Sequence, residues 1–150
     1  MRTVEKITID ELLTMSEKMS EPLVKGVIDV SRHLLVIDAG LHSDEELFLL
    51  EQGSKQADLW GINLWPESYG TDEFVEFDSM INIRPSQNNR SRGVEDSAVR
   101  QLIYDIQRST TARSQEPGVR SQNITIVLQK SCFFCKRFES NDIVGEKVSE

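Results

Sequence analysis

Apolar residues first recur at helical spacing near the start of the chain, where Ile9, Leu12, Met15 and Met19 line up with Leu13 beside them. Thr8 stands at an N-cap position with Glu11 three residues on, so the spacing predicts a helix over 8–20 that Pro22 closes. The run from Leu23 to Val30 is β-branched, Ser31-Arg32-His33 reads as a tight turn, and Leu34 to Ile37 is apolar again. That is a β-hairpin. Ser43 and Glu46 repeat the capping-box spacing, Asp44 and Glu45 put acid in the first turn, and Gly53 stands where a C′ residue belongs. A short helix over 44–52 follows. Leu59 to Trp65 stops at Pro66, a polar turn covers 67–73, and Phe74 to Ile83 returns as a long strand, which makes a second hairpin. Period-two alternation puts Val75, Phe77, Ile81 and Ile83 on one face of that strand. Glu76, Asp78, Asn82 and Arg84 lie on the other, with Phe74 and Met80. Beyond a polar stretch, Val99, Leu102, Ile103 and Ile106 form a helical stripe. The expected architecture is therefore α+β, in the order α-β-β-α-β-β-α, with about four antiparallel strands and the helices packed on one face.

Length and composition add an appendage to this picture. The chain has 150 residues, room for one domain, and its apolar share of 38% is low enough that part of it is expected to stay outside the core. The single compact domain is read as 1–108. From 109 to 150 the character changes: Ser109-Thr110-Thr111-Ala112 favours no element, and Arg-Ser-Gln at 113–115 returns at 120–122. Ile124 to Leu128 would be a lone strand, and a single strand cannot bury itself. This segment is expected to be a flexible extension. The two cysteines, Cys132 and Cys135, both fall in it, so the core cannot rest on disulfides. With no signal-like start and no run of about 18 apolar residues, a soluble, cytoplasmic protein without a membrane partner is expected.

Charge is unevenly distributed. Residues 1–81 hold 6 Lys+Arg against 17 Asp+Glu, a net of −11, whereas residues 82–150 hold 11 against 8, a net of +3. The overall −8 argues against broad, non-specific DNA affinity but leaves room for one local anion-binding patch.

Three strings carry a family resemblance: Leu41-His42-x-Asp44-Glu45-Glu46, the stretch Gly53-Ser54-Lys55-Gln56-x-Asp58-Leu59-Trp60-Gly61-Ile62-Asn63-Leu64, and Glu76 to Ser91, reading EFDSMINIRPSQxNRS. Together with the Val24 to Asp29 strand, they resemble a family of small, uncharacterised bacterial proteins, a domain of unknown function, over about residues 5–108. The resemblance implies a compact stand-alone domain and brings no activity, substrate or cofactor with it. Residues 109–150 do not match the family pattern. Their text is more like translated short genomic repeats, as a read-through extension would be.

The strongest chemical signal is the loop from Arg84 to Arg92. Arg84, Arg90 and Arg92 supply guanidinium groups, Ser86 and Ser91 hydroxyls, and Gln87, Asn88 and Asn89 amides, between a strand end and a helix start. Anions and phosphates are held in such settings. The plain alternative is a solvated connection with turn-forming Asn and Ser, whose arginines pair with the acidic half. Only Gly93 accompanies the loop, and Glu95 with Asp96 compete for the helix dipole, which weakens a phosphate reading. On this reading the protein is a binding or regulatory module for an anionic ligand, nucleic acid or a nucleotide first, and leans away from being an enzyme.

A rival reading is a small hydrolase or nuclease with His42 as acid or base, Glu46, Glu76 or Asp78 as partner, and the arginines stabilising phosphoryl charge. It needs His42 near Arg90. Against it, a single histidine ahead of a helix is more often a surface or capping side chain. His33 is expected to do nothing beyond its turn. A third reading is an adaptor or antitoxin-like protein whose acidic half docks on a basic partner. Glu76, Asp78, Asn63, Asn82 and Arg84 could share a polar sheet face, with Trp60, Trp65, Tyr69 and Phe74 around the same hairpin. Trp65 and an exposed sheet edge make a homodimer an option. Cys132-Phe133-Phe134-Cys135 lacks the helix start of a redox motif and the extra ligands of a zinc site, so no metal and no cofactor is expected.

Overall fold

The computed structural model describes residues 2–4, 6–112 and 126–128. In chain order the elements are β1 (Arg2–Val4), β2 (Ile7–Thr8), α1 (Ile9–Ser16), β3 (Val24–Asp29), β4 (Leu34–Ile37), α2 (His42–Glu51), β5 (Leu59–Leu64), β6 (Val75–Glu76), α3 (Ser97–Thr110), β7 (Thr111–Ala112) and β8 (Ile126–Leu128). The main sheet runs β1-β8-β4-β3-β5-β6, and β2 pairs with β7 in a separate parallel two-stranded ladder. Within β4-β3-β5-β6 each strand is antiparallel to the next, as two hairpins require, while β8 runs parallel to β4, and the fold is α+β.

The local signals account for the first half. Thr8 Oγ1 accepts from the Glu11 N–H at 3.2 Å, and the Glu11 carboxylate accepts from the Thr8 N–H at 3.0 Å, so α1 begins on a complete capping box. The β3–β4 turn is held by Asp29, whose Oδ1 accepts from the Ser31 and Arg32 N–H groups at 2.9 Å each. Arg32 Nη1 then donates to the Gln52 carbonyl and to Ser54 Oγ, tying this turn to the end of α2. Gly53, with φ +86°, is the left-handed residue that stops α2.

The helices are not confined to one face. Val24, Ile28, Leu35, Ile37, Trp60, Ile62 and Leu64 form a core with Leu12 of α1 and Ile103 and Ile106 of α3. Val27, Leu34, Val36 and Leu59, which alternate with them along the strands, form a second core with Phe48 and Leu49 of α2. Every residue of β4 and β5 is buried. A sheet apolar on both faces must be covered on both.

The expected long strand over 74–83 is cut to Val75–Glu76, and a 3₁₀ turn over Met80–Asn82 follows. Beyond it the edge of β5 is satisfied by a side chain. Asn82 Oδ1 accepts from the Gly61 N–H at 2.8 Å and Asn82 Nδ2 donates to the Gly61 carbonyl at 2.9 Å, copying a ladder pair. A Cβ on Gly61 would meet Ser79 Oγ at 2.5 Å, so this approach requires glycine. The period-two face therefore dissolves: Phe77 packs against the first core and edge-to-face on Tyr104, Ile81 joins the second, and Ile83 is exposed.

Helix α2 starts at His42 with Leu41 at the N-cap and no side-chain cap, so the Ser43–Glu46 capping box does not form. Its acids turn elsewhere, Glu45 inward to the Ala39 N–H and Glu46 to Arg84. At the far end, Ser109 and Thr110 continue α3, and Thr111–Ala112 pair with β2. The strand expected to stand alone is flanked by β1 and β4. The Arg-Ser-Gln repeat and Cys132-x-x-Cys135 lie outside the described residues. No helix among the described residues is long and apolar enough to cross a membrane.

Candidate functional site

The loop after β6 is built around two buried asparagines. Asn89 Nδ2 donates to the carbonyls of Asn82, Ser91 and Gly93 at 2.7, 3.1 and 2.7 Å, and its Oδ1 accepts from the Glu95 N–H at 2.7 Å. Asn82 Nδ2 also donates to the Arg92 carbonyl at 2.9 Å. Arg84 and Asn89 exchange backbone hydrogen bonds across a turn that Asn88 closes in the left-handed region at φ +59°. Both amides are thus committed to holding the chain. A fully satisfied buried network of this kind fixes one loop conformation.

The loop's own anion nest is filled from within. Glu95 Oε1 accepts from the N–H groups of Arg90 and Ser91 at 2.9 and 3.1 Å. The hydrogen bond from the Arg90 N–H is the chief reason its carboxyl lies below the usual range.

The three arginines do not converge. Arg92 Nε meets Asp78 Oδ1 at 2.7 Å on the surface. Arg90 is exposed. Arg84 is buried, 9% exposed, with its guanidinium carbon 5.2 Å from the centroid of the Trp60 ring. Burial pushes its pKa down, against the pull of Glu46 and Asp58. Its nearest acid contact, Glu46 Oε1, is 3.5 Å from Nη2, and both terminal nitrogens are buried without a hydrogen-bond partner. Arg84 lines an open depression of about 500 Å³ with Glu46, Gln56, Ser86 and Gln87 as its polar neighbours and Met80, Ile81 and Ile83 among the apolar ones. Gln87 is steadied there by donating to the Ala57 carbonyl at 3.0 Å.

His42 stands at a second polar cluster. Its Nε2 lies 2.8 Å from the Ile62 carbonyl, which can only accept, so Nε2 carries the proton and Nδ1 is left as the basic nitrogen. Burial is the main reason its pKa is lowered, and Lys25, Asp78 and Arg92 are close enough to act on its charge. Lys25, Asn63 and Glu76 are successive cross-strand neighbours on β3, β5 and β6. Asn63 Nδ2 donates to the Glu76 carboxylate at 2.9 Å and to the Asp78 carbonyl at 3.4 Å, and Trp65 Nε1 donates to the same carboxylate at 3.2 Å. Of the expected polar sheet face, Asn63, Glu76 and Asp78 do come together, whereas Asn82 and Arg84 are drawn to Gly61 and Trp60. Glu46 pairs with Arg84.

Glu45 is the residue that sequence reasoning missed. It is fully buried, its Oε1 accepts from the Ala39 N–H at 3.1 Å, and its Oε2 has no partner. Desolvation raises its pKa well above the ordinary value. The available signal was its spacing, three and four residues ahead of the buried Phe48 and Leu49 on one face of α2. Among the described residues no group of three or more His, Cys, Asp or Glu side chains could hold a metal ion.

The family model described as a protein of unknown function, DUF5674, matches residues 2–110. The chain belongs to the DUF5674 family. The match takes in both polar clusters and stops at the last residue of α3, so each candidate residue of this DUF5674 protein lies within the family domain. No curated protein and no solved structure matches the chain.

Proposed function

We propose that this DUF5674 protein is a binding module for an anionic ligand, with the depression beside Arg84 as its anion site. The observation that carries this reading is the guanidinium of Arg84, held in place by Trp60 and the loop bridge, with two terminal nitrogens that make no hydrogen bond. Buried donors without acceptors are costly, about 1–3 kcal/mol each, and an anion at this spot relieves that cost. Ser86, Gln87 and Gln56 offer directional hydrogen bonds on the rim. Nucleotides and short nucleic acids are the first ligands to try.

Titration calorimetry of the full chain with AMP and with a short RNA, at two salt concentrations, tests the assignment. Saturable binding that weakens with salt and falls at least about tenfold in Arg84→Lys, while Arg90→Ala with Arg92→Ala retains it, is the expected result. Binding that survives Arg84→Lys and disappears in the Arg90/Arg92 variant counts against it. Circular dichroism shows that the variants are folded.

A second reading, a hydrolase centred on His42, draws support from one observation, the hydrogen bond to Ile62 that occupies Nε2 and leaves Nδ1 as the basic nitrogen. In that reading Asp78 and Arg92 are its companions, and His42→Gln abolishes any turnover of p-nitrophenyl phosphate or ester substrates.

A further inference from the structure

We infer that the ligand of the Arg84 depression is a monocarboxylate with an apolar body, rather than a phosphate dianion. The inference rests on the anion-binding reading above and narrows its chemistry.

Charge makes the first argument. The guanidinium is one positive charge, and the Glu46 carboxylate already stands 3.5 Å from it on the rim of the same depression, with Asp58 close enough to act on it as well. An incoming anion meets one cation and, on the same rim, the Glu46 carboxylate. A second negative charge on the ligand gains attraction from the same single guanidinium, but it adds repulsion from Glu46 and Asp58 and a larger desolvation cost. The planar fork of Nη1 and Nη2 matches the two oxygens of a carboxylate. Glu46 shows how: its own carboxylate stands 3.5 Å from Nη2 without forming a hydrogen bond, and a ligand carboxylate takes that place as Glu46 moves aside towards Gln56, to which it is already bonded at 3.3 Å.

The walls make the second argument. Met80 and Ile83 are large apolar side chains left 68% and 38% exposed, and both line the depression. Exposed apolar side chains converging beside one buried cation suit an amphipathic molecule, with its head on Arg84 and its body on Met80 and Ile83. A thioether side chain adapts to bodies of different shape.

A matched set of probes on the full chain tests this: hexanoate, hexyl phosphate and 1-hexanol, with AMP alongside, titrated by calorimetry and by chemical shifts of the Arg84 and Trp60 side chains. Hexanoate is expected to bind about tenfold more tightly than hexyl phosphate at pH 8, where the latter is a dianion, with hexanol weakest. Glu46→Gln is expected to tighten both anions and to shrink the carboxylate preference by at least about threefold, because the repelling charge is gone. Arg84→Lys loses hexanoate binding.

Hexyl phosphate or AMP binding as tightly as hexanoate, with loss in Arg84→Lys, overturns the carboxylate assignment and leaves Arg84 as the anion site. An unchanged hexanoate preference in Glu46→Gln overturns it as well, since Glu46 would not be the discriminator. If no anion binds, or all bind equally in Arg84→Lys, the anion-site reading falls and the carboxylate assignment falls with it.

Discussion

Two buried polar side chains decide most of what is particular to this molecule, and each can be tested alone. Glu45 is shut away from water with one oxygen unpartnered, and its carboxyl is raised well above the ordinary value, chiefly by desolvation. Lys25 and the Ala39 N–H pull it down, while Asp38 and Asp44 push it up. A carboxyl raised in the folded state holds its proton more tightly there than in the unfolded chain. Its contribution is therefore fully present below the unfolded value, about 4.3, and is lost as pH rises through the folded value. Urea denaturation at a series of pH values is expected to show stability falling over that window, and Glu45→Gln to flatten the fall and to be more stable at pH 8 by about 1–2 kcal/mol. A variant with the same pH slope as the wild type would show that another group titrates. Asn82 makes a different prediction. Asn82→Ala removes three hydrogen bonds and leaves the Gly61 N–H and carbonyl unpaired in the core, so a loss of about 3 kcal/mol is expected. Asn82→Asp keeps the acceptor for the Gly61 N–H but loses both donors, and should fare little better in the same denaturation experiment. Neither role was legible in the sequence. Glu45 reads as a first-turn acid and Asn82 as a residue on a wet strand face, because spacing gives the direction of a side chain only once the element is right.

The elements themselves divide cleanly into those set by short-range chemistry and those set by the partner. Helix α1 was legible because its capping box is a local device that needs nothing beyond residues 8–11. The first hairpin was legible for the same reason, with Asp29 supplying the acceptors of its own turn. At α2 and over 74–83 the expectation fails because long-range contacts outbid the local pattern. At α2, Ser43 and Glu46 have the capping-box spacing, but Glu46 finds Arg84 from another element, and no spacing rule can foresee that. Between Phe74 and Ile83, alternation implied a strand that Asn82 ends by substituting its side chain for the ladder. The candidate site inherits this division. The Arg84–Arg92 loop stood out by composition, yet Arg84 is buried beside a depression, Arg92 pairs with Asp78 on the surface, and Arg90 is exposed. Residue types were visible and their convergence was not.

At the scale of the whole molecule, the double-faced sheet makes its edges the vulnerable places. The β4 strand, Leu34–Ile37, is buried throughout; its continuous apolar run suits a strand covered on both faces, where helices on one face had been expected. Its outer edge is covered by β8, which is itself covered by β1. Three residues of the C-terminal segment, Ile126–Leu128, thus form a strand between β1 and β4. Ending the chain after Ala112 removes β8 and presents the backbone of β4, an apolar strand without a charged residue, to other copies. Nothing on β4 resembles the lysines or prolines with which natural edge strands discourage pairing. Residues 1–112 are accordingly expected to self-associate, seen as a concentration-dependent mass by light scattering at micromolar protein, where the full chain stays at one mass. Should residues 1–112 instead remain monomeric with an unchanged unfolding midpoint, β8 contributes little to the sheet, and the family domain closes its own edge.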